Sequence, residues 1–363
     1  MKNASFWETD AFLSKTYDLV VIGAGIVGLS AAYFTKLQSP NLRILIVERG
    51  FLPSGASTKN AGFACFGSPT ELLSDLKKES EQEVIQRIKW RWNGLKRLRS
   101  TLGDETLRYE ACGSYELFNS QQDMQESWDN LEYLNDLMLT ATGEKQMFTY
   151  KPIHGKEAIF SKGEGAIHSG YMMRAWIEKN QQLGNEIRFN TRVQSIEPQK
   201  VMLDNNIQIF AKHILVSTNG FANELTGKRV KPARGLVLIS KPLQNLQWRG
   251  TFHYDEGFVY FRNVGDRLLL GGARNQDMQT EETTHFGENP KLKQHLLELA
   301  DSFLQVDLAS NLEQSWSGIM GFSDTKSPIS EDKDGISIRV ALGGMGVAIG
   351  SDIGFQFAKT FLQ

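Results

Sequence analysis

Two cysteines, Cys65 and Cys112, stand in 363 residues. That is too few for a disulfide framework or a structural zinc site, and it fits a reducing compartment. The cytoplasm is the expected location. Net charge is equally scarce: 40 basic residues against 42 acidic ones leave −2, so no bulk field draws the chain to nucleic acid or an anionic membrane. The stretch from Met1 to Lys15 has neither the basic start nor the apolar core of a signal peptide, and export is not expected. Long hydrophobic runs are missing too. The one candidate, Leu19 to Phe34, is broken by Gly23, Gly25 and Gly28 and is short for a membrane span. No metal site, nucleic-acid partner or integral membrane segment is expected. What remains, with 40% hydrophobic and 23% charged residues, is the composition of a soluble globular chain with two domains or one large one.

A βαβ unit opens the chain. Tyr17 to Ile22 is an unbroken β-rich run, Gly25 to Leu37 is helical in pattern, and Arg43 to Glu48 is a second β-rich run. Apolar residues from Leu72 to Leu102 then keep steps of three and four, predicting one or two long amphipathic helices that end near Gly103. The basic residues from Arg87 to Arg99 are read as their solvated face. Ser120 with Asp123 predicts a helix start and Gly143 its stop, while Ser169 predicts the cap of a further helix closed by Gly184. From Gly235 to Gly272 the pattern turns antiparallel, with a hairpin at Asn263, Val264 and Gly265. Asn289 and Pro290 open another helix, and a glycine cluster precedes the last one. The expected organisation is an α/β domain built from residues 1–105, 155–228 and 316–363, interleaved with an antiparallel-sheet domain from 106–154 and 229–315.

Gly23-Ala24-Gly25-Ile26-Val27-Gly28 lies where the first strand passes into the first helix. Gly23 permits the turn, Gly25 lets a pyrophosphate approach the backbone, and Gly28 lets helix and strand pack closely; the helix N-terminus offers N–H groups to the anion. Glu48, ending the second β-rich run, is placed to accept hydrogen bonds from the hydroxyls of an adenosine ribose, with Arg49 beside it. These residues predict a dinucleotide site and leave FAD and NAD open.

Further along come Gly55-Ala56-Ser57 with Asn60-Ala61-Gly62, the run Gly165 to Tyr171, Thr191-Arg192-Val193 and Ser217-Thr218-Asn219-Gly220. They are followed by Pro232 with Arg234-Gly235, Trp316-Ser317-Gly318 and Gly343-Gly344-Met345-Gly346. In this order they resemble the D-amino-acid oxidase superfamily, in particular its branch with glycine oxidase, sarcosine oxidase and γ-glutamylputrescine oxidase, over nearly the whole chain. The resemblance implies a fold of class α/β + α+β, a Rossmann-like FAD-binding domain interleaved with an antiparallel-sheet substrate domain, and the flavin ring at their interface. It implies Ser57 and Thr58 near the phosphates and ribityl chain, and Val193 presenting backbone groups to the adenine. Gly343, Gly344, Met345, Gly346 and Val347 fall at the pyrimidine edge of the flavin, where N–H donors and a helix start stabilise the reduced anion. Cys65 falls in a loop beside the ring. The sarcosine oxidase branch attaches its flavin to a cysteine after the Trp-x-Gly element; Gly321-Phe322-Ser323-Asp324 has none, which implies non-covalent FAD.

The resemblance also implies the reaction: oxidation of a C–N bond in an amine or amino acid by hydride transfer to flavin N5, the imine then hydrolysing, with oxygen or another electron acceptor. Alternation along Phe258-Val259-Tyr260-Phe261-Arg262 puts Phe258, Tyr260 and Arg262 on one face. If that face looks onto the flavin, Tyr260 can hydrogen-bond a substrate and Arg262 can hold an anionic end. His253 and Tyr254 are weaker candidates. Glycine oxidase carries carboxylate-binding arginines at two places where this chain has Met320 and Met345. Small amino acids bound in that manner are therefore not expected, and Arg262, Arg274 or Arg234 is left to hold an acid in another orientation. Two alternatives stand beside amine oxidation: an FAD-dependent 2-hydroxy-acid dehydrogenase, and a non-catalytic flavin-binding partner protein.

Overall fold

The computed structural model describes residues 5–13, 16–118, 120–204, 206–227 and 230–363; residues 1–4, 14 and 15 of the polar opening segment lie outside them. The β-branched run becomes the strand Thr16–Ile22, buried on both faces because it sits inside a sheet. It pairs in parallel with Ile44–Val47 on one side and Gln208–Val216 on the other. Glu186–Arg188 and Ile336–Val340 extend that parallel core. Ile329–Lys333 and the pair Val193–Glu197 and Lys200–Leu203 join antiparallel at the margins. Leu19 and Val21 pack against the helices Ile26–Gln38, Glu81–Leu102 and Gly346–Phe361, while Val20 and Ile22 pack on the other face with Val193 and Val201. The last two helices approach closely, since a Cβ at Gly94 would lie 1.9 Å from the Ala348 carbonyl oxygen.

The second sheet runs in the order Leu312–Phe322, Lys231–Ser240, Arg267–Gly272, Val259–Val264, Thr251–Tyr254, Ser114–Leu117, Ala158–Ser161 and Phe148–Tyr150. All its pairings are antiparallel except that of Ser114–Leu117 with Thr251–Tyr254. Phe252, Phe261, Leu268 and Leu270 form one face and pack on Leu292 and Leu296 of the helix Pro290–Ser302. The alternate residues, His253 and Tyr260 among them, face the first domain. Mixed parallel and antiparallel sheets with covering helices give the α/β + α+β class.

Several boundaries differ from the sequence expectation. Ala158–Ser161 and most of Leu312–Phe322 belong to the second sheet, although residues 155–228 and 316–363 were assigned to the nucleotide domain. Leu134, Leu137 and Met138, from a segment assigned to the substrate domain, share the buried cluster of Ile26 and Ala348. The predicted helix after Ser120 is broken at Asn130 into Gln121–Asp129 and Leu131–Thr142. His168, not Ser169, caps the helix Ser169–Gln182, its Nδ1 accepting the Tyr171 N–H. Nor is the basic stripe wholly solvated. Arg87 and Arg91 are buried, Arg87 on Asp75 and Glu79 and Arg91 on Glu71 and the Phe66 carbonyl. Helical spacing shows that two arginines share a face, not that an acidic helix, Pro69–Leu76, lies against it.

Candidate active site

Two joined chambers lie between the sheets. The outer, of about 110 Å³, is bounded by the first βα turn and by Glu48, Arg49, Val193, Thr218 and Phe221. The inner, of about 520 Å³, extends beneath the antiparallel sheet, and Gly25, Ala56, Ser57, Ser217 and Asn219 line both.

The outer chamber is built for a polar ligand. Glu48, 8% exposed, is fixed by two amides: Ala24 N–H donates to Oε2 at 3.1 Å and Gly50 N–H to Oε1 at 2.9 Å. Gly25 is the helix N-cap and brings no side chain to the first-turn amides; Ser57 Oγ accepts only the Ile26 N–H, at 3.1 Å. Ile26 and Val27 face the inner chamber from that turn. Thr218 Oγ1 is buried without a partner in the outer chamber, a donor that a polar ligand would satisfy. Arg49 forms part of the wall, its guanidinium 3.7 Å from the centre of the Phe221 ring. An open glycine turn, a fixed carboxylate and an orphaned hydroxyl fit the adenosine and phosphates of FAD.

Some expected residues shape the site without lining it. A Cβ on Gly28 would lie 2.1 Å from the Gly23 carbonyl oxygen, and one on Gly220 2.4 Å from that of Met320, so both are close-packing positions. Thr58, expected at the phosphates, turns its hydroxyl to the Pro53 and Gly55 carbonyls of its own turn and lines neither chamber. Gly62 also lines neither, and its carbonyl accepts from Ile167 N–H and Arg262. Asn60 faces the inner chamber with Ala61, while its carboxamide bonds Ala56, Ser57, Gly62 and Ser169.

Gly343, Gly344, Met345, Gly346 and Val347 form one wall of the inner chamber where the final helix begins. Asn219 Oδ1 accepts the Ala341 and Leu342 N–H groups at 3.0 and 3.3 Å, binding this cluster to the first domain's central strand ends. Cys65, Met320, Phe63 and Phe258 give apolar surface; Cys65 Sγ lies 3.7 Å from Met345 Sδ, and burial raises its thiol pKa well above the ordinary range. Tyr260 faces the chamber, its ring edge-on to Phe63 at 5.6 Å. Burial pushes the phenol up to about 12. His253 faces it as well, backed by the Glu164 carboxylate at 3.1 Å; burial lowers the imidazole pKa, the carboxylate outweighs that, and the net shift is upward.

Arg262, expected to meet the substrate, does not line the chamber. It lies on the predicted face, but two paired segments, one carrying Gly62 and the other Ile167, cover that end of the strand. Its guanidinium donates to the carbonyls of Gly62 at 2.7 Å, Ile167 at 3.0 Å and Asn263 at 3.0 Å, with Glu110 at 3.6 Å. Arg234 is likewise engaged, doubly hydrogen-bonded to the Glu281 carboxylate. Of the three arginines left open, Arg274 alone faces the inner chamber. Lys59, Lys326 and Phe322 also line it; no local motif marked them. Trp316, from the Trp-Ser-Gly element, donates to the Lys59 carbonyl and fastens the helix Ala56–Lys59 to the sheet.

Among the described residues no helix is long and apolar enough to cross a membrane, and no group of histidine, cysteine and acidic residues could hold a metal. The chain is 21% identical to glycine oxidase of Bacillus subtilis (strain 168), over 91% of its own length and 88% of the relative's. Solved structures of similar fold include iminodiacetate oxidase from Chelativorans sp. BNC1 (TM-score 0.76, 18% identity, 95% of each chain). L-proline dehydrogenase from P. horikoshii is another (TM-score 0.75, 14% identity, 96% of this chain and 93% of that one). The model of the FAD dependent oxidoreductase family matches residues 18–359, so the chain belongs to that family and is an oxidoreductase with FAD as its cofactor.

Proposed function

We propose that the protein oxidises the C–N bond of a small amine or amino acid, taking hydride from the carbon that bears nitrogen and leaving an imine that hydrolyses. The observation that carries this reading is the inner chamber, a space of mostly apolar surface continuous with the nucleotide chamber and lined by Tyr260 together with Met320, Met345, Phe63 and Phe258. The relatives point the same way, since glycine, iminodiacetate and proline each carry such a C–N bond. FAD, when bound, supplies a two-electron acceptor for the hydride. Glu48 would hold the ribose, the Gly25 to Val27 backbone with Ser57 and Thr218 the pyrophosphate, Val193 the adenine, and Gly343 to Val347 the flavin's pyrimidine edge.

The remaining work falls to orientation and desolvation. Walls made by Met320, Met345, Phe63 and Phe258 disfavour an ammonium ion and so favour the unprotonated amine. Tyr260, with its phenol pushed up to about 12, keeps its proton at neutral pH and serves as a neutral hydrogen-bond partner. Tyr260→Phe should therefore retain FAD and lower kcat/KM about tenfold, equivalent to roughly 1.4 kcal/mol. An unchanged kcat/KM would remove Tyr260 from the site.

The test of the reaction is anaerobic reduction of the bound flavin by amines, N-substituted amino acids and 2-hydroxy acids. Bleaching by an amine or amino acid is expected; bleaching by hydroxy acids alone would make the enzyme a hydroxy-acid dehydrogenase. No bleaching by any of them would leave a flavin-binding partner protein. Acid precipitation of the holoprotein should release FAD to the supernatant, because Cys65 stands against Met345 and the segment after Trp316 has no cysteine. Flavin retained in the pellet would show covalent attachment.

A further inference from the structure

The cations around the inner chamber are not equivalent. Arg91 is held by Glu71 and the Phe66 carbonyl, and Lys326 by Asp75 and Glu71. Lys78 is exposed at the rim and donates to Ser74, while Lys59 extends toward the exposed ring of Phe286. Arg274 is half-buried and makes no hydrogen bond or ion pair with another described residue; its guanidinium rests 4.7 Å from the centre of the Phe322 ring. Glu281, a carboxylate of its surroundings, is already engaged by Arg234 and Asn289.

The backbone holds Arg274 firmly in this place. The strand Arg267–Gly272 ends, and Ala273 takes a left-handed conformation (φ 60°) that few non-glycine residues adopt. Its N–H donates to the Phe258 carbonyl at 2.7 Å, Gln276 N–H donates back to the Ala273 carbonyl at 3.0 Å, and Asn275 reaches Asp255 at 2.8 Å. A half-buried guanidinium without an acceptor, on a fixed tip and beside apolar walls, is a site that an anion completes.

We propose that Arg274 is the anion subsite of the inner chamber, and that the substrate is an amine whose carboxylate is held there and not at Met320 or Met345. This rests on the inner chamber being the substrate chamber. The carboxylate accepts two parallel hydrogen bonds from the guanidinium while the Phe322 ring covers the cation's face.

The test titrates phenylacetate and its neutral counterpart phenylacetamide into the holoenzyme, following perturbation of the oxidised flavin absorption and needing no turnover. The wild type should bind the acid about 10- to 100-fold more tightly than the amide. R274M should abolish that preference with FAD retained, and R274K should keep most of it; if R274M does not fold, R274Q is read in its place. A preference that survives R274M, a wild type that does not discriminate, or loss of FAD from R274M but not from R274K would overturn the proposal. If the preference vanishes as expected while no amine or amino acid bleaches the wild-type flavin, the subsite stands and the C–N reading fails. If amines do bleach it and R274M still prefers the acid, the reverse holds.

Discussion

Gly25→Val should yield a folded protein essentially free of FAD. A Cβ at this position meets only Ser57 Oγ, at 3.3 Å, so the chain itself accommodates a side chain if that hydroxyl gives by a few tenths of an ångström. The space the valine would fill is the junction of the two chambers, where the pyrophosphate must approach the open first turn. The variant should therefore melt where wild-type apoprotein melts, having lost only the stabilisation that ligand binding adds. Gly28→Ala is the contrast: its Cβ would lie 2.1 Å from the Gly23 carbonyl oxygen and 2.6 Å from Ser217 Oγ, so it should damage the fold as well. Normal flavin content in Gly25→Val would contradict the placement of the phosphates.

Arg262→Ala should destabilise the protein by roughly 2 to 4 kcal/mol, a fall in melting temperature of several degrees, without a specific effect on substrate affinity. The side chain is 4% exposed and binds three carbonyls, one on its own strand and two on separate segments, so its removal leaves buried acceptors without a charged donor. Arg262→Lys keeps the charge but not the planar spread of donors and should recover only part of the loss. A wild-type melting temperature with a raised KM for an acidic substrate would return Arg262 to the substrate site.

The contrast between Arg262 and Arg274 shows how far a sequence can be read. The first βα turn is local: strand, glycines, helix and Glu48 lie within about thirty residues, and their types dictate the turn. Alternation put Phe258, Tyr260 and Arg262 on one face; the strand, which starts at Val259, keeps Tyr260 and Arg262 in alternate positions, and Phe258 just before it lines the chamber with Tyr260. What it did not contain is the covering segment, 200 residues away from Arg262 at Gly62. Arg274 is aimed by a left-handed alanine, a residue type without any preference for that conformation. Thr58 failed for a local reason, because a hydroxyl at the end of a tight turn finds its own carbonyls first. The sheet boundaries failed for a global one. Period-two patterning identifies a strand but not its sheet, and Ala158–Ser161 and Leu312–Phe322 find partners distant in sequence.

The placement of Thr16–Ile22 between Ile44–Val47 and Gln208–Val216 also governs how the protein is made. During synthesis one edge of this strand, apolar from Leu19 to Ile22, has no partner until residue 216 emerges, a wait of roughly 10 to 40 s at 5–20 residues per second. Through that interval the nascent chain offers a bare β edge of the kind that recruits other chains. The inner chamber is completed later still, because Asn219 must find the amides of Ala341 and Leu342 before the glycine wall is set. Loading with FAD is thus a late event in maturation.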